Sequence, residues 1–497
     1  MLKQHQHNIR SGYQHIQTIC TSAHLHICTF LLLLALTTSA QEMEHNISGA
    51  WYGMTGNTMG EKQRLMIVLE KTKHGYKGQL KSPDRTDVSL PMDTVDYTAG
   101  TLRFRVNVVD ISFKGGWDAA NRRFGGTLTQ GGQQAPLNLS QDQIKATDVY
   151  RRPQDPQAPL GYREEEVMFT SQEEEGIALS GTFTRPDSAQ QYPVVILLSD
   201  AGPQNRNEEM VGHKTFGVLA DYLTRRGIAV LRWDDRGTGG SKGDYDDATF
   251  DDLAADVHAA IAYLRQRKDV DYNKIGLLGH GEGASIAAMA ASRPQDSIAF
   301  VISLAGAGLP ARQLQEVQMA EVLRASMPQK GDSAITRYIK YTQPWFKMLA
   351  TETDPDVAQQ KSRELLKEMY HKLVGKPMPA EEQQYIERLI AIQTTPHSLS
   401  AVRFDPLTYL QKIKCPVLAL NGSRDIVMDA NLQLPAIEKA VLTGGNQQIT
   451  AHSLDGLNHL FQQCKTCTTS EYVTLDQTMD PAVLDFITRW VQAVVNL

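Results

Sequence analysis

The stretch Lys274-Ile275-Gly276-Leu277-Leu278-Gly279-His280-Gly281-Glu282-Gly283-Ala284-Ser285 decides how this chain is read. It opens as a short apolar strand, passes through closely spaced glycines, and runs on as a helix of small residues through Ala287, Ala288, Ala290 and Ala291. Strand, sharp turn and helix in that order are the setting of a G-x-S-x-G nucleophile elbow. The turn holds the nucleophile's backbone in a strained conformation, and its neighbours must be small so that strand and helix can approach. Here the frame is Gly279-His280-Gly281-Glu282-Gly283, complete except that Gly281 stands at the serine's position.

Outward from the elbow the pattern alternates between buried strands and amphipathic helices. Pro193 to Ser199 is a nearly continuous apolar run, and Ile228–Leu231, Ile275–Leu278, Ile298–Leu304 and Val417–Leu420 repeat its character. Runs of this kind belong to strands covered on both faces. Between them Leu253, Val257, Ile261 and Leu264 share one helical face. The alternation predicts a doubly wound, mostly parallel α/β sheet. One interval, about 309–400, is helix-like and free of strand signals, and predicts a helical cap over the sheet's carboxyl edge. Its aromatic residues Tyr338, Tyr341, Trp345 and Phe346 either line an apolar pocket or pack the cap onto the body.

Two further residues complete a catalytic constellation. Asp425 follows the strand Val417–Leu420 in Asn421-Gly422-Ser423-Arg424-Asp425, and His459 follows the last strand-like run, 448–454. Nucleophile, acid and histidine in that chain order fit an elbow of this type, with the acid orienting the imidazole. Ser199-Asp200-Ala201-Gly202-Pro203-Gln204 follows the first long central strand, where the backbone N–H of Ala201 is placed as one oxyanion donor. The N–H of Glu282, directly after the elbow position, is the other. The glycine-rich loop Trp233 to Ser241 reads as structural, its charges pairing locally.

At these residues the chain resembles exported bacterial α/β-hydrolases of the esterase and serine-aminopeptidase-like type. The resemblance rests on the elbow, on Asp235-Arg236-Gly237-Thr238-Gly239-Gly240-Ser241, on Lys414 to Gly422, and on Leu457-Asn458-His459-Leu460-Phe461-Gln462. It implies hydrolysis of carboxylic esters, with small acyl esters as substrates. The chain departs from the pattern twice: Gly281 replaces the elbow serine, and Asp200-Ala201 replaces Gly-Ser in the oxyanion loop.

Without the hydroxyl there is no acyl-enzyme. The vacated space predicts a water molecule with His459 as its general base, giving slow hydrolysis at most. Ser285, His280, Glu282 and Cys464 are the nearest substitutes, and none is placed by the sequence to take over the attack. Three functions stay open: a weak or inactive esterase, a non-catalytic protein that holds an ester or short peptide in the capped pocket, and a peptidase-like hydrolase with an unconventional nucleophile.

The remaining sequence sets the organisation. Residues 1–40 read as a signal peptide, with Lys3 and Arg10 ahead of the apolar run Ile27–Leu36 and small residues before a cut after Ala40. A retained membrane anchor is the alternative, but the run falls short of the roughly 20 residues a span needs. The expectation is a periplasmic or secreted protein, free of the membrane after cleavage. Residues 44–145 alternate in short segments and predict a small antiparallel β barrel or sandwich. The proline-rich stretch within 146–162 predicts a stiff linker to a hydrolase domain spanning 163–497. A net charge of −6 with no basic tract argues against nucleic-acid binding. Cys464 and Cys467 are close enough for a local disulfide; no spacing completes a metal site, and no cofactor is expected.

Overall fold

The structure is a computed structural model that describes residues 46–496, apart from 57–61, 83–85, 131–132, 146–150, 172–175, 189, 294–296, 312 and 314–330. The expected signal peptide lies outside the described residues.

The N-terminal domain is one antiparallel sheet of nine strands. They are β1 (Gly49–Gly56), β2 (Lys62–Thr72), β3 (Gly75–Ser82), β4 (Thr86–Pro91), β5 (Thr94–Thr98), β6 (Thr101–Val106), β7 (Ile111–Asp118), β8 (Arg123–Gln130) and β9 (Gln133–Ser140). Their order is β4-β3-β2-β1-β9-β8-β7-β6-β5, and the sheet curls until β3 and β5 meet. Alternation fixes the inward face: in β6, Leu102, Phe104 and Val106 are buried while their neighbours are not. The interior is filled with aromatic rings, Trp51 lying 5.0 Å from Phe124 and Phe104 stacking 5.3 Å from Phe113. It is a packed half-barrel.

The connecting stretch is bonded to loops of the larger domain. Arg152 donates to the carbonyls of Leu475 (2.9 Å) and Val211 (2.7 Å), and Gln154 donates to the carbonyl of Met479 at 2.7 Å. Asp155 pairs with Lys214 at 3.1 Å. The polar side chains that read as linker composition are partners for these loops.

The second domain is built on an eight-stranded sheet. Its strands are β10 (Arg163–Thr170), β11 (Ala178–Arg185), β12 (Tyr192–Leu198), β15 (Ala229–Trp233), β16 (Val270–His280), β17 (Val301–Leu304), β18 (Val417–Gly422) and β19 (Ile449–Leu454). A small hairpin, β13 (Glu209–Met210) and β14 (His213–Lys214), stands apart. The order is β10-β11-β15-β12-β16-β17-β18-β19. β10 and β11 are antiparallel, and from β15 onward every neighbouring pair is parallel. All seven residues of β12 are buried, as a central parallel strand requires. Helices Thr215–Thr224 and Pro481–Val495 cover one face, where Phe216, Leu223, Leu484 and Ile487 share a core with β12 and β17. Helices Phe250–Arg265, Glu282–Ala291 and Ala430–Thr443 cover the other. This is the doubly wound α/β arrangement that the sequence predicts.

Between β17 and β18 the described residues form helices Gly331–Leu349, Pro355–Val374, Ala380–Gln393 and Pro396–Arg403. They enclose a core of their own containing Trp345, Leu349, Leu366, Ile390 and Leu399. The Trp345 indole donates to Ser362 Oγ at 2.8 Å, and Phe346 packs against the same cluster. These two aromatics therefore hold the cap together internally. Arg388 reaches from the cap to the Asn107 carbonyl of the half-barrel at 2.8 Å.

Candidate active site

β16 ends at His280, and the helix Glu282–Ala291 begins two residues later. Gly281 between them has φ 50° and ψ −112°, a left-handed conformation in which a Cβ is strained. A Cβ on Gly279 would overlap the backbone of Gly283, and one on Gly283 would overlap the carbonyl of Leu198. That crowding is why the frame around position 281 is glycine. The turn is pinned by the Gly281 N–H, which donates to the Leu304 carbonyl at 2.8 Å.

Asp425 and His459 meet beside the turn. Asp425 Oδ1 accepts the N–H groups of Val427 (2.8 Å) and Met428 (2.9 Å), leaving Oδ2 to accept from His459 Nδ1 at 2.7 Å. This orients the imidazole with Nε2 toward position 281, the arrangement an acid–histidine pair needs.

What faces Nε2 is a carboxylate. Asp200, 7% exposed, places Oδ2 3.1 Å from His459 Nε2, and its Oδ1 accepts the Glu282 N–H at 3.0 Å. One of the two N–H groups expected to form the oxyanion hole, that of Glu282, thus points at a side chain of the chain itself. A Cβ built on Gly281 would overlap Asp200 Oδ1 and Cγ. The space beside Gly281 holds the Asp200 carboxylate, and His459 Nε2 is engaged by it.

Charge follows from this geometry. Burial alone would favour a neutral His459, but Asp425 and Asp200 on its two nitrogens hold its pKa well above the usual histidine range. Burial would likewise raise Asp200, yet the His459 hydrogen bond and charge, with His280 nearby, bring it down to about 2. His459 is clamped between two carboxylates, an arrangement that favours the imidazolium. A protonated imidazole with both N–H groups committed is no general base.

A second layer fixes the loop that carries Asp200. Glu208 Oε1 accepts both the Asp200 N–H (2.8 Å) and His280 Nδ1 (2.9 Å), while His280 Nε2 donates to the His459 carbonyl at 3.0 Å. With acceptors at both nitrogens, and Glu208 outweighing burial, His280 is held above its ordinary pKa. Asp235, expected to be purely structural, accepts from Ser199 Oγ (2.8 Å) and Gln204 N–H (2.9 Å), bracing the same loop. Burial pushes Asp235 up to about 8. Asp235, Tyr245 and Glu282 border a cavity of about 30 Å³ beside the elbow.

The Glu282 side chain turns away from the turn, accepting from the Tyr245 hydroxyl at 2.6 Å and pairing with His397 Nε2 at 3.3 Å. Ser285 is buried within its helix, and Cys464 is bonded to Cys467 with an S–S distance of 2.03 Å. Neither is available as a nucleophile. Among the described residues no group of three or more His, Cys, Asp or Glu side chains is arranged to hold a metal ion.

Sequence reading brought together Gly281, Asp425, His459, Ala201 and Glu282 but missed Asp200 as an occupant of the site. Its only signal was the aspartate in place of the expected glycine. Glu208, Tyr245 and His397 gave none, since each lies in a segment with no local motif.

The chain is similar to several known proteins. Esterase EstD of Thermotoga maritima is 24% identical over 314 residues, which is 63% of this chain and 65% of the esterase. The chain thus spans just under two thirds of that relative's length. Among solved structures, an esterase of Pyrococcus furiosus aligns at 16% identity over 67% of this chain and 92% of its own, with a TM-score of 0.40. The α/β hydrolase GrgF from a Penicillium species aligns at 17% identity over 67% and 100%, with a TM-score of 0.42. Residues 213–463, half of the chain, match the family described as Serine aminopeptidase, S33, and the chain belongs to that family of α/β-hydrolases.

Proposed function

We propose that this protein is an esterase-like α/β-hydrolase whose covalent step has been disarmed, so that it retains the scaffold and the acid–histidine pair without acyl-enzyme turnover. The carrying observation is Asp200: its carboxylate occupies the space beside Gly281, accepts the Glu282 N–H and ion-pairs with His459. Hydrolysis through a serine needs a hydroxyl, a neutral imidazole and an empty oxyanion hole. The geometry supports the loss of all three.

The pocket it derives from takes small acyl esters, by analogy with the esterases it resembles, and an exported setting fits the expected signal peptide and the Cys464–Cys467 disulfide. A second reading, a non-catalytic binding protein, is favoured by the intact hydrogen-bond shell around His459, which has no catalytic use in this state. A peptidase with another nucleophile gains no support, because Ser285 and Cys464 are both withdrawn.

The test is hydrolysis of nitrophenyl acetate and butyrate by the wild-type chain and by His459→Ala, with intact-mass detection of adducts after a fluorophosphonate. The expected result is no adduct and the same background rate for both proteins. Turnover that disappears in His459→Ala, or a stoichiometric phosphonyl adduct, overturns the reading.

A further inference from the structure

The disarmed site is not empty but liganded, and the ligand is part of the chain. One oxygen of Asp200 lies on the Glu282 N–H at 3.0 Å and the other on His459 Nε2 at 3.1 Å. This is how a free carboxylate product would sit in such a site, one oxygen in the oxyanion hole and one on an imidazolium. The donors have supports other than Asp200. The Glu282 amide is set by the elbow, while Nε2 is aimed by Asp425 from behind and by His280 through the His459 carbonyl. Asp200 itself sits on a loop, residues 199–208, anchored at its far end by Arg206 on Asp234, Thr182 and Ser180, while near Asp200 the contacts are Glu208 on its N–H and Asp235 on Ser199 and Gln204.

The loop also carries a sign of local strain. Glu208 adopts φ 48°, a left-handed conformation unfavourable for a glutamate, and its buried Oε2 has no hydrogen-bond partner. The backbone on which Asp200 rides is thus held at a cost within the loop, whereas the donors it caps are fully supported.

We propose that the site is a receptor for small carboxylates, in which Asp200 is a built-in competing ligand that an external carboxylate displaces. The inference rests on the reading of a disarmed site, since an acyl-enzyme would consume the same donors. It names the ligand class: a monocarboxylate of the kind that ester hydrolysis releases, recognised through two oxygens, in preference to a neutral ester. No bond is made or broken. The exchange swaps one carboxylate for another on the same N–H groups.

Asp200→Ala removes the competitor and leaves the donors. The measurements are thermal unfolding and the ring-nitrogen NMR shifts of His459, each titrated with sodium butyrate, with methyl butyrate and sodium chloride as controls. Butyrate is expected to raise the unfolding temperature of Asp200→Ala saturably and to shift His459 Nε2, while the controls do neither. The wild-type chain should bind butyrate about 10- to 1000-fold more weakly, the penalty of a receptive state populated at about 0.1–10%. Equal affinity in the two proteins, or equal responses to butyrate, ester and chloride, overturns the proposal. If Asp200→Ala does not fold, Asp200→Gly, which restores the residue usual at this position in the resembling esterases, is titrated in the same way. Failure here leaves the disarmed reading intact, because that reading stands or falls on ester turnover and phosphonate labelling.

Discussion

Restoring the missing serine should not by itself restore an enzyme. In Gly281→Ser the new Cβ overlaps Asp200 Oδ1 and Cγ, so the carboxylate must leave the space it fills. Leaving forfeits its bonds to the Glu282 N–H and His459 Nε2, each a hydrogen bond to a charged group worth about 1.5–3 kcal/mol. The φ of 50° at position 281 adds about 1–2 kcal/mol once a side chain is present. Allowing for partial repair by solvent, Gly281→Ser should lose about 3–5 kcal/mol in urea unfolding and remain a poor esterase. If Asp200 stays near the oxyanion donors it denies them to the transition state, and one such donor is worth about 100- to 1000-fold in rate. Asp200→Gly/Gly281→Ser clears the overlap and frees the donors. Its kcat/KM on nitrophenyl butyrate should exceed that of Gly281→Ser by at least about 100-fold. Equal activity of the single and double variants would refute the claim that Asp200 blocks the site.

Three further outcomes follow from the same contacts. Asp200 has a lowered pKa, so its contribution is complete above about pH 3.8 and lost as pH falls toward its folded value of about 2. His459 has a raised pKa, so its contribution is complete below about pH 6.5 and lost as pH rises through its elevated folded value. The stability difference between wild type and Asp200→Ala, read by thermal unfolding, should therefore be largest between about pH 4 and 6.5 and shrink on both sides; a difference that grows above pH 8 contradicts the ion triad. His459→Ala removes the cation between two buried carboxylates and should cost about 3–5 kcal/mol in urea unfolding, with Asp200→Gly/His459→Ala recovering part of that loss. Glu208→Ala cuts the bonds to the Asp200 N–H and His280, and should cost about 2–3 kcal/mol while lowering the pKa of His280 in an NMR titration.

The fold was legible because its signals are local. The all-apolar β12 and the glycine frame at 279–283 each state their own conformation, and Asp425 and His459 follow strands whose ends the sequence marks. The occupied site was not legible, because it depends on residues far apart in the chain meeting across a turn. Asp200 and His459 are 259 residues apart, and only the packed sheet sets 3.1 Å between them. The contacts of the connecting stretch were not legible for a related reason: proline and polar residues describe both a solvated spacer and a strap whose side chains bond to carbonyls elsewhere. With Trp345 and Phe346, helical spacing could not distinguish a pocket wall from an internal cap core.

Glu282 belongs to two structures at once. Its amide faces the site, while its carboxylate is held by Tyr245 and by His397, the second residue of the helix Pro396–Arg403 at the foot of the cap. One residue thus ties the candidate site to the first turn of the helix that closes the cap, so a change at His397 would be expected to reach the amide at position 282.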